Sequence, residues 1–393
     1  MEIQSRVDFD NLEIAFAAKN DRALKKIHFV FSTMKSNMLV KVGTTVTKLA
    51  LNSGLPVKGI IKGTLFDIFC GGETIEDCIS TVAKMKKFNV GAILDYSVEG
   101  EKTEAGFEST THEILQVIEQ AAKSDNIPFA AIKITGFGDF DLLAKIHEGE
   151  TLNAEEQEAW GRVKERCERI CQRAYDLDVP VLIDAEETWI QKPVDELTIN
   201  MMQKFNKEKG LIYYTFQMYC HRMLTNLKAL HEQAEKGGYI LGAKLVRGAY
   251  MEKERERALH LHYEDPIQPT KAATDKDYDA ALSYSVEHIK GISLFAGSHN
   301  EDSNYLLASL LEEHGIEASD ARVCFAQLYG MSDNISYNLA DAGYRVAKYV
   351  PYGPIKAAMP YLIRRAEENT SVKGQSGREL TLVKREMKRR KGR

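Results

Sequence analysis

Polar or ionisable side chains stand within or at the ends of seven apolar runs in this sequence: Asp95, Lys133, Asp184, Gln217, Lys244, the Ser298–His299–Asn300 triplet and Tyr349. Polar groups inside such runs are costly to bury without partners. A lone His299 or Gln217 reads as a satisfied core group, but all seven together read as a site. Acids beside lysines can orient a substrate and neutralise charge, and a lysine so placed can also form a Schiff base. A second constellation is YLIRRAEEN at 361–369, preceded by Pro360 and by PYGP at 351–354. Two adjacent guanidinium forks, Arg364 and Arg365, grip a carboxylate or a phosphate in bidentate fashion; alternatively Glu367 and Glu368 neutralise them on a solvated surface. Reading Pro360 as the first turn of a helix puts the arginines in its second turn, near the positive end of the dipole.

The elements that must position these residues follow from periodicity. Short runs rich in β-branched and aromatic residues recur at 90–96, 130–137, 179–185, 211–219, 242–249, 292–298, 322–328 and 344–350, each followed by a charged, helix-periodic segment. The plainest helices are EILQVIEQAAKS, AEEQEAWGRVKERCERICQRAYDL and YDAALSYSVEHIKG. Eight βα units in series predict an α/β fold of the (βα)8 TIM-type barrel class, with a doubly wound open sheet as the alternative. The expected division is a helical N-terminal arm over 1–88, a catalytic barrel over 89–370 and a basic C-terminal tail over 371–393. TLFDIFC at 64–70 reads as one further strand, assigned to the arm. In a barrel, chemistry belongs at the carboxyl ends of the strands, where the polar residues lie, and the helix after strand eight begins at that face. Arg364 and Arg365 would then hang over the mouth.

Composition narrows the function. Hydrophobic residues make up 44% and charged ones 28%, the profile of a globular protein with a sizeable core. A net charge of -5 argues against nucleic acid as a partner, since phosphate-tracking proteins carry a basic excess. The N-terminus lacks an apolar core for a signal peptide, and no run of about eighteen apolar residues marks a spanning helix. The six cysteines contain no CxxC pair, so reduced thiols in a cytoplasmic protein, and no metal site, are expected. No GxxxxGK[ST] occurs and GFG at 136–138 is only a fragment of a dinucleotide fingerprint, so any nucleotide cofactor is bound by non-Rossmann means.

Taken together, YLIRRAEEN, KLVRGAY (244–250), LIDAEE (182–187), the SHN triplet, FAQLYGM (325–331) and YVPYG (349–353) resemble the proline dehydrogenase family, in family order over roughly 66–370. That family consists of FAD-dependent enzymes on a (βα)8 barrel whose last helix lies over the mouth. The resemblance implies that Arg364, Arg365 and Lys133 bind the proline carboxylate. Leu328 and Tyr349 would wall the pyrrolidine ring, Asp184 would orient the reacting centre, and Glu99 would pair with Arg364 as a gate. For FAD it implies Gln217, Lys244, Val246, Gly248, Ala249, Tyr250, Ser298, His299, Asn300 and Glu368, with the Lys244 cation facing the flavin. The chain departs from members that read RLVKGAYW: its charges are Lys244 and Arg247, Met251 replaces the tryptophan, and Ser298 stands where threonine is common.

The implied reaction is oxidation of L-proline to Δ1-pyrroline-5-carboxylate, with hydride passing to FAD and a membrane quinone as final acceptor. A separate pyrroline-5-carboxylate dehydrogenase would take the product onward. The tail RELTLVKREMKRRKGR (378–393) holds eight basic residues against two acids, with Leu380, Val383 and Met387 at helical spacing. It reads either as a basic amphipathic helix touching the inner face of the cytoplasmic membrane or as a segment docked on the barrel. Two other classes fit the residue types: a Schiff-base aldolase using Lys133 or Lys244, and a non-catalytic barrel acting as a binding module.

Overall fold

Runs such as 90–94 and 323–326 are apolar at successive positions, which suits strands buried on both faces of a parallel sheet. A computed structural model describes residues 7–34, 59, 62–97, 101–371 and 375–392, of which 366–371 and 375–376 are described by backbone alone. Eight strands form its sheet: β1 (Val90–Tyr96), β2 (Ala130–Ile132), β3 (Val181–Ile183), β4 (Ile212–Gln217), β5 (Leu241–Val246), β6 (Ile292–Gly297), β7 (Val323–Leu328) and β8 (Val346–Tyr352). All ladders are parallel, in the order β1-β8-β7-β6-β5-β4-β3-β2. The first strand thus pairs with the last, and at the remaining seam Ala92 N donates to Asn126 O at 2.8 Å, beside β2. The result is a nearly closed (βα)8 barrel. The order runs round the ring without the reversal that defines a doubly wound sheet, which removes that alternative.

β2 and β3 are shorter than their apolar runs. Thr135 donates from its backbone N (3.2 Å) and its hydroxyl to the Glu186 carboxylate, and this cross-link turns residues 134–136 into a tight helical turn instead of a longer ladder. Inside the ring, alternate side chains fill the centre: Ile93, Phe129, Ala131, Leu182, Tyr213, Phe295, Cys324, Ala326 and Ala347 form a buried apolar plug. A larger layer lies between the strands and the surrounding helices. All six cysteines are buried and unpaired.

The arm corrects one expectation. TLFDIFC is not a strand: residues Lys62–Phe66 form a π-helical turn that runs into the helical residues Asp67–Phe69. A short apolar run has no periodicity that separates a buried strand from a buried helix. Here Phe66, Ile68 and Phe69 pack against Val30, Phe31 and Met34 of the helix Asp21–Met34, and no sheet edge is offered to them. At Gly330, after β7, φ is +82° and a Cβ would lie 2.3 Å from Ile68 O, so only glycine lets the arm come this close.

The last barrel helix, Ile355–Ser371, starts earlier than the proline suggested. Pro354 precedes it, and Pro360 lies inside it on the exposed side, where water can satisfy the carbonyl that the missing N–H leaves open. Arg364 and Arg365 therefore sit in mid-helix, and the expected helix-dipole effect on them does not apply. Ile355, Ala358, Met359, Leu362 and Ile363 pack on the arm.

The tail forms the helix Gln375–Lys391, docked on the arm. Leu382 and Val383 pack with Leu12, Ala15, Phe16 and Leu24, and Met387 leans on the same cluster, while Leu380 joins the Phe31 cluster. Arg385, Arg389 and Arg390 pair with Asp10 (2.8 Å), Glu13 (3.1 Å) and Asp21 (2.9 Å). Of the two readings of the tail, its apolar stripe follows the docked one, on the arm, because burial against preformed helices is available within the chain. No helix among the described residues is long and apolar enough to cross a membrane.

One polar clamp ties arm to barrel. Lys348, fully buried on β8, pairs with Asp333 at 2.7 Å and donates to Met331 O at 2.6 Å; Lys19 of the arm reaches the same Asp333 at 3.5 Å. Burial opposes the charge on Asp333, but the two lysines outweigh it and hold its carboxyl below the ordinary range. Lys19→Met is expected to cost about 1 kcal/mol, since Lys348 still neutralises Asp333. Thermal unfolding followed by circular dichroism checks this, and a loss above about 3 kcal/mol would show that the arm pair outranks the buried one.

Candidate active site

Strand alternation builds the site. Two residues beyond Ile93, Ala131, Leu182 and Ala347 of the plug come Asp95, Lys133, Asp184 and Tyr349, and residues i and i+2 share a face. With Lys244 of β5 they form a polar layer on top of the apolar one. Lys133 Nζ lies 3.1 Å from Asp95 Oδ1 and 3.2 Å from Asp184 Oδ2. Lys244 Nζ lies 2.5 Å from Asp184 Oδ1 and donates to the Tyr349 hydroxyl at 2.6 Å, which in turn donates to Asp184 at 3.3 Å. Asp95, which the sequence placed at a strand end without a role, thereby becomes the second anion.

This layer is nearly dry: the Lys244 side chain is 6% exposed and that of Asp184 13%. Burial disfavours ionised Asp184, yet the fields and hydrogen bonds of Lys244 and Lys133 prevail and hold it below the usual carboxylate range. Burial pulls Lys244 below its ordinary value, with Asp184 resisting the fall. Burial and then the Asp184 field raise Tyr349, so its phenol stays neutral. Behind Asp184, burial lifts the Glu186 carboxyl to about 7. Two carboxylates balance two ammoniums, and the phenol links one pair.

Beside this layer lie the loops after β4, β5 and β6. Gln217 is buried at the end of β4, faces Val246 in the ladder and donates to Glu186 O at 2.8 Å. Gly248 has φ +140°, and a Cβ there would lie 2.4 Å from the Tyr219 ring, so the backbone of the loop stays bare where Gly248 and Ala249 are exposed. Tyr250 N donates to Tyr219 OH at 3.3 Å. Arg247, missed as a site residue, joins these loops: its guanidinium pairs with Asp275 (2.7 Å), donates to Ser298 Oγ (2.8 Å) and Ser303 Oγ (2.9 Å), and stacks 4.3 Å from the Tyr278 ring centroid. Asn300 caps the helix Glu301–Glu313, accepting from Ser303 N at 3.1 Å. His299 is held neutral: burial first, then Lys348, Arg365, Arg378 and Arg247, push it down to about 3.

The remaining expected residues divide. Leu328 packs on the plug from the end of β7. Arg365 is 7% exposed, with its guanidinium 5.2 Å from the Tyr361 ring centroid, and its charge is felt at His299. Arg364 is half-buried on the same helix. Glu99 and the side chain of Glu368 lie outside the described residues. Among the described residues no cluster of histidine, cysteine or acidic side chains has the arrangement to hold a metal ion.

Comparison with known proteins identifies the family and the fold. The proline dehydrogenase family model matches residues 78–378. The carbapenem antibiotics biosynthesis protein CarD of Pectobacterium carotovorum subsp. carotovorum is 35% identical over 333 residues, 84% of this chain and 86% of that protein. Mitochondrial proline dehydrogenase 1 of Dictyostelium discoideum is 36% identical, covering 87% of this chain and 67% of that protein, and the human protein of the same name is 42% identical over 60% of this chain and 40% of its own length. Among solved structures, proline utilization A from Bdellovibrio bacteriovorus, inactivated by N-propargylglycine, superposes with a TM-score of 0.72 at 23% identity, over 91% of this chain. This chain spans 38% of that one, and the likeness is one of fold.

Proposed function

The chain belongs to the proline dehydrogenase family of oxidoreductases, and we propose that it oxidises L-proline to Δ1-pyrroline-5-carboxylate with FAD as the hydride acceptor and a quinone as the onward acceptor. The observation that carries the reading is the dry layer of Asp95, Lys133, Asp184, Lys244 and Tyr349 at the mouth, on a chain whose last helix bears Arg364 and Arg365.

The residues present fit FAD. The bare backbone at Gly248 admits a flat ring or a phosphate at close range, and Lys244, Arg247 and the neutral His299 supply donors for an electron-rich partner. Gln217, Val246, Ala249, Tyr250, Ser298, Asn300 and Glu368 complete the set. FAD, when bound, would supply the two-electron acceptor for the hydride leaving C5, with the amine entering unprotonated and its nitrogen proton passing to solvent once the C5–N double bond has formed.

The chain's own contribution is position and field. Arg364, Arg365 and Lys133 clamp the substrate carboxylate through charge-assisted hydrogen bonds. Leu328 and the Tyr349 ring press the pyrrolidine into one plane, which sets the reacting carbon at near-attack distance. Asp184 fixes Lys244 and Tyr349 in place, and Lys244 offers its charge where electron density accumulates. A Schiff-base role needs a free neutral lysine, whereas Lys133 and Lys244 are both committed to Asp184.

The purified protein is expected to be yellow, to release FAD on denaturation and to bleach on addition of proline without oxygen. Visible spectroscopy checks all three. A colourless protein that borohydride links to a carbonyl compound would overturn the reading in favour of an aldolase.

A further inference from the structure

Two consecutive side chains at the start of the C-terminal helix enter the rim of the mouth, and the reaction just described uses neither. Arg378 pairs with Glu301, the first residue of the helix after β6, whose carboxylate also accepts from Asn334 Nδ2 at 2.6 Å. Glu379, 9% exposed, accepts from Ser332 N at 2.8 Å. One end of one helix thereby staples the loop after β6 to the loop after β7.

Ser332 is held in an unusual conformation. Its φ is +51°, in the left-handed region that a residue with a Cβ enters only when its surroundings fix it there. From that position its Oγ lies 2.9 Å from His299 Nδ1. Losing the Glu379 acceptor leaves a buried N–H unsatisfied and frees Ser332 to relax, which withdraws the hydroxyl from the imidazole. His299 is half-buried and neutral, so its orientation depends on such neutral contacts, not on an ion pair.

We propose that Glu379 is a positioning residue for the cofactor: acting through Ser332, it fixes the His299 ring in the orientation that FAD binding requires, while Arg378 steadies the adjoining turn at Glu301. This rests on the reading of the mouth as an FAD site. The role is separable from folding, because the helix is anchored further along by Leu382, Val383 and the pairs of Arg385, Arg389 and Arg390 with the arm.

The test is FAD affinity of the full-length, deflavinated protein, read by flavin fluorescence, beside the melting temperature of the same apoprotein. Glu379→Ala is expected to weaken FAD binding about tenfold, the worth of one hydrogen bond to a charged group. Glu379→Gln keeps an acceptor oxygen and is expected to stay within about threefold of wild type. Ser332→Gly removes the hydroxyl but suits the positive φ. It is expected to weaken FAD binding with no fall in apoprotein melting temperature, an outcome a purely structural role does not produce and one that does not depend on how Glu379→Ala folds. In the double variant His299→Ala/Glu379→Ala the losses are expected not to add, since both act on one contact. Wild-type affinity in Glu379→Ala and Ser332→Gly, or fully additive losses, overturns the inference. A wild-type chain that takes up no FAD overturns the reading of the mouth instead.

Discussion

Asp184→Ala is expected to lower proline turnover by about a thousandfold and to destabilise the fold by about 3 kcal/mol. Asp184 is the anion that both Lys133 and Lys244 share, at 3.2 and 2.5 Å, and it accepts a hydrogen bond from the Tyr349 hydroxyl at 3.3 Å. Removing one partner of a buried pair leaves the other charge uncompensated, at a cost of roughly 3–5 kcal/mol. Lys133 retains Asp95, but Lys244 retains only a neutral phenol. Burial already draws its ammonium toward deprotonation, and without Asp184 only the weaker field of Asp95 resists that. On the proposed reading, the variant then lacks the cation offered to the flavin and the acceptor that aims Tyr349. Each tenfold loss of rate corresponds to about 1.4 kcal/mol, so a thousandfold fall lies within the penalty. Steady-state kinetics with a soluble dye acceptor, beside chemical unfolding, give both numbers. Turnover within about threefold of wild type would show that the Asp184 charge plays no part in the reaction.

Arg365→Met should raise the KM for proline about ten- to a hundredfold while FAD remains bound. The substitution keeps most of the apolar stem and deletes the guanidinium, which also lies over the Tyr361 ring, so the melting temperature is read beside KM to separate that contact from the substrate's. A charge-assisted hydrogen bond is worth on the order of 1.5–3 kcal/mol, and a contact made equally in ground and transition states appears in KM with kcat little altered. A second readout follows from the field of this cation at His299: its loss moves the imidazole back up toward its ordinary value, though burial and three other cations keep it neutral near pH 7. Unchanged KM would remove Arg365 from the carboxylate clamp.

Much of the barrel was legible in the residues, for a physical reason. A strand buried on both faces must be apolar along its length, so a polar residue at its end stands out against the cost of burying it. Asp95, Lys133, Asp184, Lys244 and Tyr349 were visible on that ground. The arm was not. TLFDIFC carries no period that tells a strand from a helix, and Pro360 reads as a helix start when a helix can also hold it on its wet side.

By itself, then, the sequence determined which side chains stand at strand ends, that eight βα units follow one another, and, through its motifs, the family. Both strand alternation and motif spacing are local properties, repeated within a few residues. Only the tertiary structure decided the partners. Lys244 lies 60 residues from Asp184, and Tyr349 lies 165 residues from it, so no local pattern encodes that they share one proton-rich, nearly dry layer. The same holds for the tail, whose basic amphipathic pattern suits a membrane or another helix equally. Burial of Leu382 and Val383 on the arm chose the helix, and that choice carried Arg378 and Glu379 to the rim of the site.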